Sequence, residues 1–250
     1  MSHSAGFIAH PSPAVRAKLT LRAELRGLLA AGLKAIFFPI VELADGMIVG
    51  HEGLTRFADG SSPQLRFEQA RDVGMSLALE TAAIEGAIAN AEQLPISSWL
   101  SLNVSPRLLL SPPDSLITAL QAAPRPLVLE LVEYEVVADY EALRQAQRQL
   151  AMQLPTAPGW ALDDIGASFA GLAHLLELPA TYIKLDRSLI NNLEVDQRRQ
   201  ALVRALAVFG EQVQSTLIAE GVETEEQRQL LLRLGVRLGQ GYLFWRPPPN

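Results

Sequence analysis

Cysteine is absent from this 250-residue sequence. Its absence excludes disulfide bonds, thiolate catalysis and zinc sites built from cysteine, and it is compatible with a reducing compartment. Histidine is scarce as well. The four histidines show no paired spacing typical of a metal site: His3, His10, His51 and His174. We therefore place all four outside the predicted functional site.

Long apolar runs and an excess of positive charge are also lacking. No stretch reaches the roughly 18 uninterrupted apolar residues of a membrane-spanning helix, and the N-terminal MSHSAGFIAHPSP lacks the basic and apolar regions of a signal peptide. The sequence thus predicts a cytoplasmic protein without a membrane partner. The formal net charge of -6 argues against a nucleic-acid polymer as partner, whereas a small anionic ligand bound through metal ions agrees with it.

The chain does contain enough apolar sequence for one substantial core. Hydrophobic residues make up 49% of it, and the length suits one barrel or one large α/β domain. Residues 1–34 form an N-terminal segment, whose periodicity over 11–31 predicts an amphipathic helix packed on the main body. Residues 35–250 form the barrel domain, and we expect the two parts to make a single structural domain.

Short apolar segments alternate with longer helical ones from residue 35 onward. Two apolar runs flank the turn Ala44-Asp45-Gly46 and predict an antiparallel pair. Later strands are predicted at 98–104, 126–132, 159–163, 181–185, 215–219 and 237–243. Helices are predicted at 64–93, 113–123, 139–153, 169–177, 196–213 and 224–234. Repeated strand-helix units of this kind favour an α/β fold, a (β/α)8 TIM-like barrel with one antiparallel strand near the N-terminus.

Six of the apolar runs end on a polar or ionisable side chain. These side chains are Glu52, Asn103, Glu130, the pair Asp163 and Asp164, Lys184 and Glu220. Buried parallel strands that end in this way deliver such groups to the rim of a barrel, where the catalytic residues of α/β enzymes lie. So many acids at one rim would repel one another unless cations offset their charge, so the pattern predicts a metal site.

The ligand types at these strand ends favour Mg²⁺ or Mn²⁺ over zinc. Glu52, Asn103, Glu130 and Asp163 supply hard oxygen atoms, and the adjacent Asp164 suits a second ion. Two divalent ions about 3.5 to 4 Å apart can stabilise both attack and departure in phosphodiester cleavage. Lys184 would orient the attacking water or neutralise transition-state charge, and Glu220 would bind a metal or take the proton.

These residues belong to motifs that give the chain a resemblance to a known family. The motifs are FFPIVEL, GHEGLTRF, LSLNVS, LELVE, LDDIGASFAGLAHLLELP, YIKLDRSL, IAEGVETEEQ and LGQGYLFWRP. From about Phe37 to Pro247 the chain resembles the EAL family of cyclic di-GMP phosphodiesterases. No single motif would suffice, but eight in this order and spacing are specific.

The resemblance implies a barrel with one reversed strand and two Mg²⁺ or Mn²⁺ ions that linearise cyclic di-GMP to pGpG by water attack. It implies metal ligands at Glu52, Asn103, Glu130 and a bridging Asp163, with Asp164 on the second ion. It implies that Lys184 and Glu220 position or activate the water, and that Glu133 steadies the loop following Asp164. It also implies that Arg56 contacts a substrate phosphate and that Gln240 lies near the site.

The chain departs from the family pattern at three places. Gly53 replaces the usual alanine, which we expect to matter little. The loop after the aspartate pair has Ala167 and Ser168 where a hydroxyl and a glycine are usual, and this change could loosen the second metal site. Phe38 replaces a usual glutamine, so a polar contact to guanine is exchanged for an apolar or stacking surface.

Other interpretations of the same residues remain open. Taken singly, the acids could be helix caps or arginine partners, Lys184 could extend its amine to solvent, and Arg56 could make an ordinary surface salt bridge. The altered loop motivates a second hypothesis, a degenerate cyclic di-GMP receptor or a module that binds a protein partner. A metal-dependent aldolase or enolase-type barrel has less support. The sequence leaves a homodimer and a regulatory protein partner open.

Overall fold

The computed structural model describes residues 12–132, 137, 139–167 and 170–247. Eight strands form a closed barrel in which each strand pairs with its neighbours in sequence and β8 pairs with β1. The strands are β1 Lys34–Glu42, β2 Ile48–Arg56, β3 Trp99–Val104, β4 Leu127–Leu131, β5 Gly159–Ile165, β6 Tyr182–Leu185, β7 Thr216–Ala219 and β8 Leu238–Gly239. The predicted barrel is therefore confirmed.

Helices surround the barrel and connect its parallel strands. They are α1 Pro13–Ala31, α2 Pro63–Asp72, α3 Ser76–Asn90, α4 Pro106–Leu110, α5 Asp114–Ala122, α6 Tyr140–Gln153, α7 Ala170–Glu177, α8 Arg187–Ile190, α9 Gln197–Gln212 and α10 Glu225–Leu234. One turn of 3-10 helix, Ala91–Gln93, follows α3. Within the described residues, no helix combines the length and the hydropathy needed to cross a bilayer.

The strand β1 runs against the rest of the barrel. It is antiparallel to both β2 and β8, whereas every other neighbouring pair is parallel. The predicted antiparallel pair at the start of the barrel is thus confirmed. In the β1-β2 register, Phe38 lies directly opposite Glu52, so both side chains project from the same face of the sheet.

The apolar core lies mostly between the strands and the helices. Leucines dominate this layer, for example Leu102, Leu129 and Leu185. A smaller cluster of Ile40, Ile218 and Leu238 is separate from that layer. Ile40 and Phe38 are two residues apart on β1, so their side chains project from the same face of the strand. Burial of these apolar groups is the main favourable term in folding. On the face that carries Phe38 and Glu52, polar side chains lie nearer the carboxyl ends of the parallel strands.

Two predicted elements differ from the structure. The single helix predicted over 64–93 is two helices, because the chain turns at Gly74, whose φ of +70° favours glycine. The predicted strand 237–243 is only two residues long, because the chain turns again from Gly241. Elsewhere the predicted helices and strands agree with the observed ones to within a few residues, and the side chain of Asp186 caps α8.

Candidate active site at the carboxyl ends of the strands

The site is centred on Lys184, which is only 1% exposed. Its Nζ atom lies 2.6 Å from Glu130 Oε2, 2.8 Å from Glu220 Oε1 and 2.9 Å from Asp163 Oδ1. Glu52 Oε1 is 3.5 Å away. The structure thus brings together five of the predicted site residues, and Lys184 does not extend its amine to solvent.

The barrel explains why residues so far apart in sequence meet. Glu52, Glu130, Asp163 and Lys184 lie on β2, β4, β5 and β6, and Glu220 immediately follows β7. These strands are parallel around the barrel, so their carboxyl ends reach the same rim. The backbone N–H of Glu220 donates to the carbonyl of Leu185, 3.0 Å away, and this bond holds the end of β7 against β6.

Two amide side chains contact the carboxylates, and one of them, Gln240, joins two carboxylates. Gln240 Nε2 donates to Glu52 Oε2 at 2.8 Å and to Glu220 Oε1 at 3.0 Å. Asn103 Nδ2 lies 3.5 Å from Glu52 Oε1. Both amides were predicted to lie at the site, and the structure places both there. The amide of Gln240 contacts one acid on each side of β1, because Glu52 lies on β2, which pairs with β1, and Glu220 follows β7, which is joined to β1 through β8.

The two adjacent aspartates share one side of β5 through an irregular backbone. Successive residues of a regular strand point to opposite faces. Asp164 instead has a φ of +55°, and the pairing of β5 with β6 shifts register between Leu162 and Ile165. As a result Asp163, Asp164 and Glu220 each offer one ligand oxygen, and these atoms all lie within 4.8 Å of one another.

The electrostatics of the site call for more positive charge than Lys184 supplies. One ammonium against four carboxylates leaves three negative charges uncompensated when all four are ionised. Burial raises the pKa of Glu130 to about 8, against the opposing charge of Lys184. Burial also raises the pKa of Glu220 well above its ordinary value. Burial alone would lower the pKa of Lys184, but the four surrounding carboxylates raise it well above its ordinary value.

The donor set fits a hard divalent cation. All the candidate ligand atoms are oxygens of carboxylates and of one amide, which are the ligands that Mg²⁺ and Mn²⁺ prefer. Asp163 Oδ1 is buried and, among the described residues, has no hydrogen bond; its neighbour is the ammonium of Lys184. A buried carboxylate oxygen without a hydrogen bond is costly unless a cation lies beside it.

The sequence comparison identifies the family. The model of the EAL domain family matches residues 22–247. The chain belongs to the EAL domain family. The match covers most of the chain and includes the second half of α1 as well as the whole barrel.

Curated relatives of this EAL domain are longer proteins. It is 31% identical over 258 residues to the oxygen sensor protein DosP of Escherichia coli, covering 94% of this chain and 31% of DosP. It is 30% identical over 242 residues to the cyclic di-GMP phosphodiesterase RocR of Pseudomonas aeruginosa, covering 90% of this chain and 60% of RocR. The EAL domain therefore spans less than two thirds of the length of either relative.

A solved structure with a similar fold is that of BlrP1 from Klebsiella pneumoniae in complex with calcium and cyclic di-GMP. It matches with a TM-score of 0.77 and 30% identity over 88% of this chain and 57% of BlrP1. A manganese and cyclic di-GMP complex of BlrP1 matches with a TM-score of 0.74 and 29% identity, over 84% of this chain and 55% of BlrP1. Both comparisons support the EAL fold at the level of the whole barrel.

One residue of the EAL site was missed by sequence reasoning. The buried hydroxyl of Ser101 donates to Glu130 Oε1, on the side of the carboxyl group opposite Lys184. Ser101 precedes Asn103 by two residues on β3, so the period of the strand places both on one face. That spacing in LSLN was the available signal, and a serine within an apolar run was not enough to identify it.

The remaining predicted residues lie on the rim or outside the described part. Arg56 ends β2, where its guanidinium donates to the carbonyl of Thr55 at 2.9 Å. Burial lowers the pKa of Arg56, and the phenol of Tyr242 acts in the opposite direction. Within the described residues Arg56 forms no ion pair with a carboxylate, so the surface salt bridge considered above is not observed. Phe38 packs near Tyr242. Glu133 and Ser168 lie outside the described residues.

Proposed function

We propose that this EAL domain is a phosphodiesterase that hydrolyses cyclic di-GMP to linear pGpG and depends on two divalent ions, Mg²⁺ or Mn²⁺. The observation that carries the proposal is the convergence of Glu52, Glu130, Asp163 and Glu220 on one buried ammonium. Support comes from the relative named as a cyclic di-GMP phosphodiesterase and from the metal and cyclic di-GMP complexes of BlrP1.

We assign the metal ligands to the oxygen donors at the strand ends. Glu52, Asn103, Glu130 and Asp163 would hold one ion, and Asp164 would serve a second ion that shares Asp163. The close approach of the two aspartates to Glu220 supports this division. When bound, divalent ions supply Lewis-acid activation of water and neutralise charge on the phosphoryl oxygens.

Lys184 and Glu220 would handle charge and the proton. The ammonium of Lys184 is fixed by carboxylates from four strands, so it presents a preorganised positive charge where negative charge develops on the phosphoryl group. Glu220 would accept the proton of the attacking water, since burial makes its carboxylate a better base than an exposed one. Gln240 holds Glu220 Oε1 in place for this transfer.

Substrate contacts are assigned to the rim. Arg56 would bind a phosphate of cyclic di-GMP through its guanidinium, whose fork suits phosphate oxygens. Phe38, opposite Glu52 on β1, would contact a guanine base. The role of Glu133 in steadying the loop after Asp164 rests on the family resemblance alone.

The direct test is turnover by the purified chain. With cyclic di-GMP and Mn²⁺ the wild type should release pGpG, measured by chromatography, and Glu52→Ala or Glu220→Ala should abolish its formation. Glu42→Ala is a matched control, because Glu42 also ends a strand and pairs with Arg237 at 3.2 Å, but lies at the opposite end of the barrel. The control should retain turnover.

The same experiment separates the alternative functions. Wild type that fails to release pGpG at high enzyme concentration would contradict the proposal. Tight binding of cyclic di-GMP in Ca²⁺ without hydrolysis in Mn²⁺, measured by titration calorimetry, would indicate a receptor. Absence of binding would indicate a module that acts on a protein partner.

A further inference from the structure

Three aromatic side chains form a cluster beside the candidate site, which we call the rim aromatic cluster: Phe38, Tyr242 and Trp245. The ring centroids of Phe38 and Trp245 are 5.1 Å apart with an interplanar angle of 81°, an edge-to-face contact. The Phe38 and Tyr242 centroids are 6.4 Å apart with their planes tilted by 40°. These distances lie within the range of favourable aromatic pairs.

The cluster is adjacent to the carboxylates of the site. Phe38 is the cross-strand partner of Glu52, and directly opposed residues of an antiparallel pair have Cβ atoms about 4.5 to 5.5 Å apart on one face. Tyr242 and Trp245 follow Gln240, whose amide binds both Glu52 and Glu220. The cluster therefore lines the site on the side of β1.

The turn that carries Tyr242 and Trp245 is fixed to the segment after Glu220. The N–H of Val222 donates to the carbonyl of Gln240, and the N–H of Leu243 donates to the carbonyl of Val222, each at 3.0 Å. Gly241 allows this approach, since a Cβ at that position would lie 2.1 Å from the carbonyl oxygen of Val222. The backbone that carries Tyr242 and Trp245 is thus held in position before any ligand binds.

The rings of the cluster are not equally available to a ligand. Arg246 Cζ lies 5.6 Å from the centroid of the Tyr242 ring and occupies one side of it. Phe38 and Trp245 are partly exposed, and Tyr242 is 46% exposed. The edge-to-face contact between Phe38 and Trp245 leaves both faces of one ring and one face of the other outside that contact. Phe38 and Trp245 therefore provide the surface on which a planar group could stack.

We infer that Trp245, supported by Phe38, is a substrate-binding residue that stacks on a purine base of the cyclic dinucleotide. The inference rests on the proposed function and adds the means of base recognition. Stacking uses the face of the base, which every purine has, and not the hydrogen-bonding edge that distinguishes guanine from adenine. The surface therefore contributes affinity for purine dinucleotides in general, and discrimination between guanine and adenine comes from other contacts.

The test compares Trp245→Leu and Phe38→Leu with wild type, because leucine keeps apolar bulk and removes the aromatic face. Each variant should raise KM for cyclic di-GMP about tenfold with kcat within twofold, as expected when uniform binding energy is lost. In Ca²⁺, the affinities for cyclic di-GMP and cyclic di-AMP should fall by the same factor. Mn²⁺ affinity, measured by calorimetry without nucleotide, should be unchanged.

Tyr182→Leu is the matched control. Tyr182 stacks on Trp99 with centroids 5.0 Å apart, and both residues begin parallel strands, so this pair lies at the opposite end of the barrel. The KM of Tyr182→Leu for cyclic di-GMP should equal that of wild type, even if thermal unfolding shows that the variant has lost some stability.

The outcomes distinguish this inference from the proposed function. Wild-type turnover with an unchanged KM in both leucine variants would overturn the inference alone, and so would a loss restricted to cyclic di-GMP, which would indicate reading of the guanine edge. A wild type that binds Mn²⁺ but neither binds nor cleaves cyclic di-GMP would overturn the proposed function together with the inference.

Discussion

At the residue scale, Lys184 is the feature on which the site depends. A lysine is almost never fully buried unless it is paired, and Lys184 is surrounded by four carboxylates. The pairing works in both directions. The carboxylates keep the ammonium charged in the protein interior, and the ammonium limits their mutual repulsion.

Replacement of Lys184 tests this mutual dependence. Lys184→Met should lower the free energy of unfolding in EDTA by about 3 kcal/mol, because removal of one partner leaves buried charge uncompensated. Urea unfolding measures the loss. Saturating Mn²⁺ should recover more stability in the variant than in wild type, since it replaces part of the missing positive charge.

Lys18→Met on α1 is the control for that experiment, because Lys18 is exposed and its loss should change stability by less than about 0.5 kcal/mol. Equal stability of Lys184→Met and wild type in EDTA would show that the four acids do not need the ammonium.

At the element scale, short irregular segments place the reactive groups that regular strands could not. The left-handed residue Asp164 puts its carboxylate on the same side as that of Asp163. The turn after β8 is likewise set by a close backbone approach between Gly241 and Val222. The strands bring the site residues to one rim, and these segments set the direction of Asp163, Asp164 and Gln240.

The turn after β8 can be tested with one methyl group. Gly241→Ala would place a Cβ against the backbone of Val222, which cannot move aside as a flexible side chain could. The turn should shift and carry Gln240 away from Glu52 and Glu220. We expect kcat/KM for cyclic di-GMP to fall by about a hundredfold, the order of loss that follows a displacement of roughly 1 Å.

Gly27→Ala in α1 is the corresponding control, since nothing lies within 4 Å of its added Cβ and alanine favours a helix. It should keep full activity and gain slightly in stability. Full activity of Gly241→Ala would mean that the turn does not hold Gln240 in its working position.

At the scale of the whole molecule, the barrel makes the stability of the chain depend on what binds at its rim. Carboxylates from four parts of the chain meet there only when the barrel is closed. An ion bound by them would therefore stabilise the folded state by mass action. The N-terminal segment as a domain boundary, the homodimer and the regulatory partner remain predictions.

The predicted linkage between Mn²⁺ and stability depends on pH. Burial raises the pKa of Glu130 to about 8, so below that pH the metal-free carboxyl group holds a proton that a metal ion must displace. Mn²⁺ affinity should rise as the pH increases from 6 to 8 and level off above. At 100 times the Kd, the ion should add about 2.7 kcal/mol to the free energy of unfolding.

Thermal unfolding with Mn²⁺ or EDTA at several pH values measures this linkage, and Asp163→Ala should remove the stabilisation at every pH. The proposed ligand set would be contradicted if Mn²⁺ stabilised that variant as much as wild type.

The sequence predicted most of the fold, because the strands and helices of a (β/α)8 barrel each produce a local pattern of apolar and polar residues. Apolar runs with a polar final residue identified the strands and their rim, and the turn at Ala44-Asp45-Gly46 identified the antiparallel start. It failed where one glycine decided the path, at Gly74 within an apparently continuous helix and at Gly241 after a very short strand. A glycine tolerates either conformation, so the sequence alone does not show which one the chain adopts.

By itself, the sequence determined which side chains end the strands, since strand periodicity is local and the eight motifs stand in a fixed order. Only the tertiary structure decided how they meet. The central position of Lys184, the hydroxyl of Ser101 against Glu130, the irregular backbone at Asp164 and the edge-to-face rings of Phe38 and Trp245 depend on distances between strands. Those distances are set by barrel closure and by side-chain packing, which no local pattern encodes.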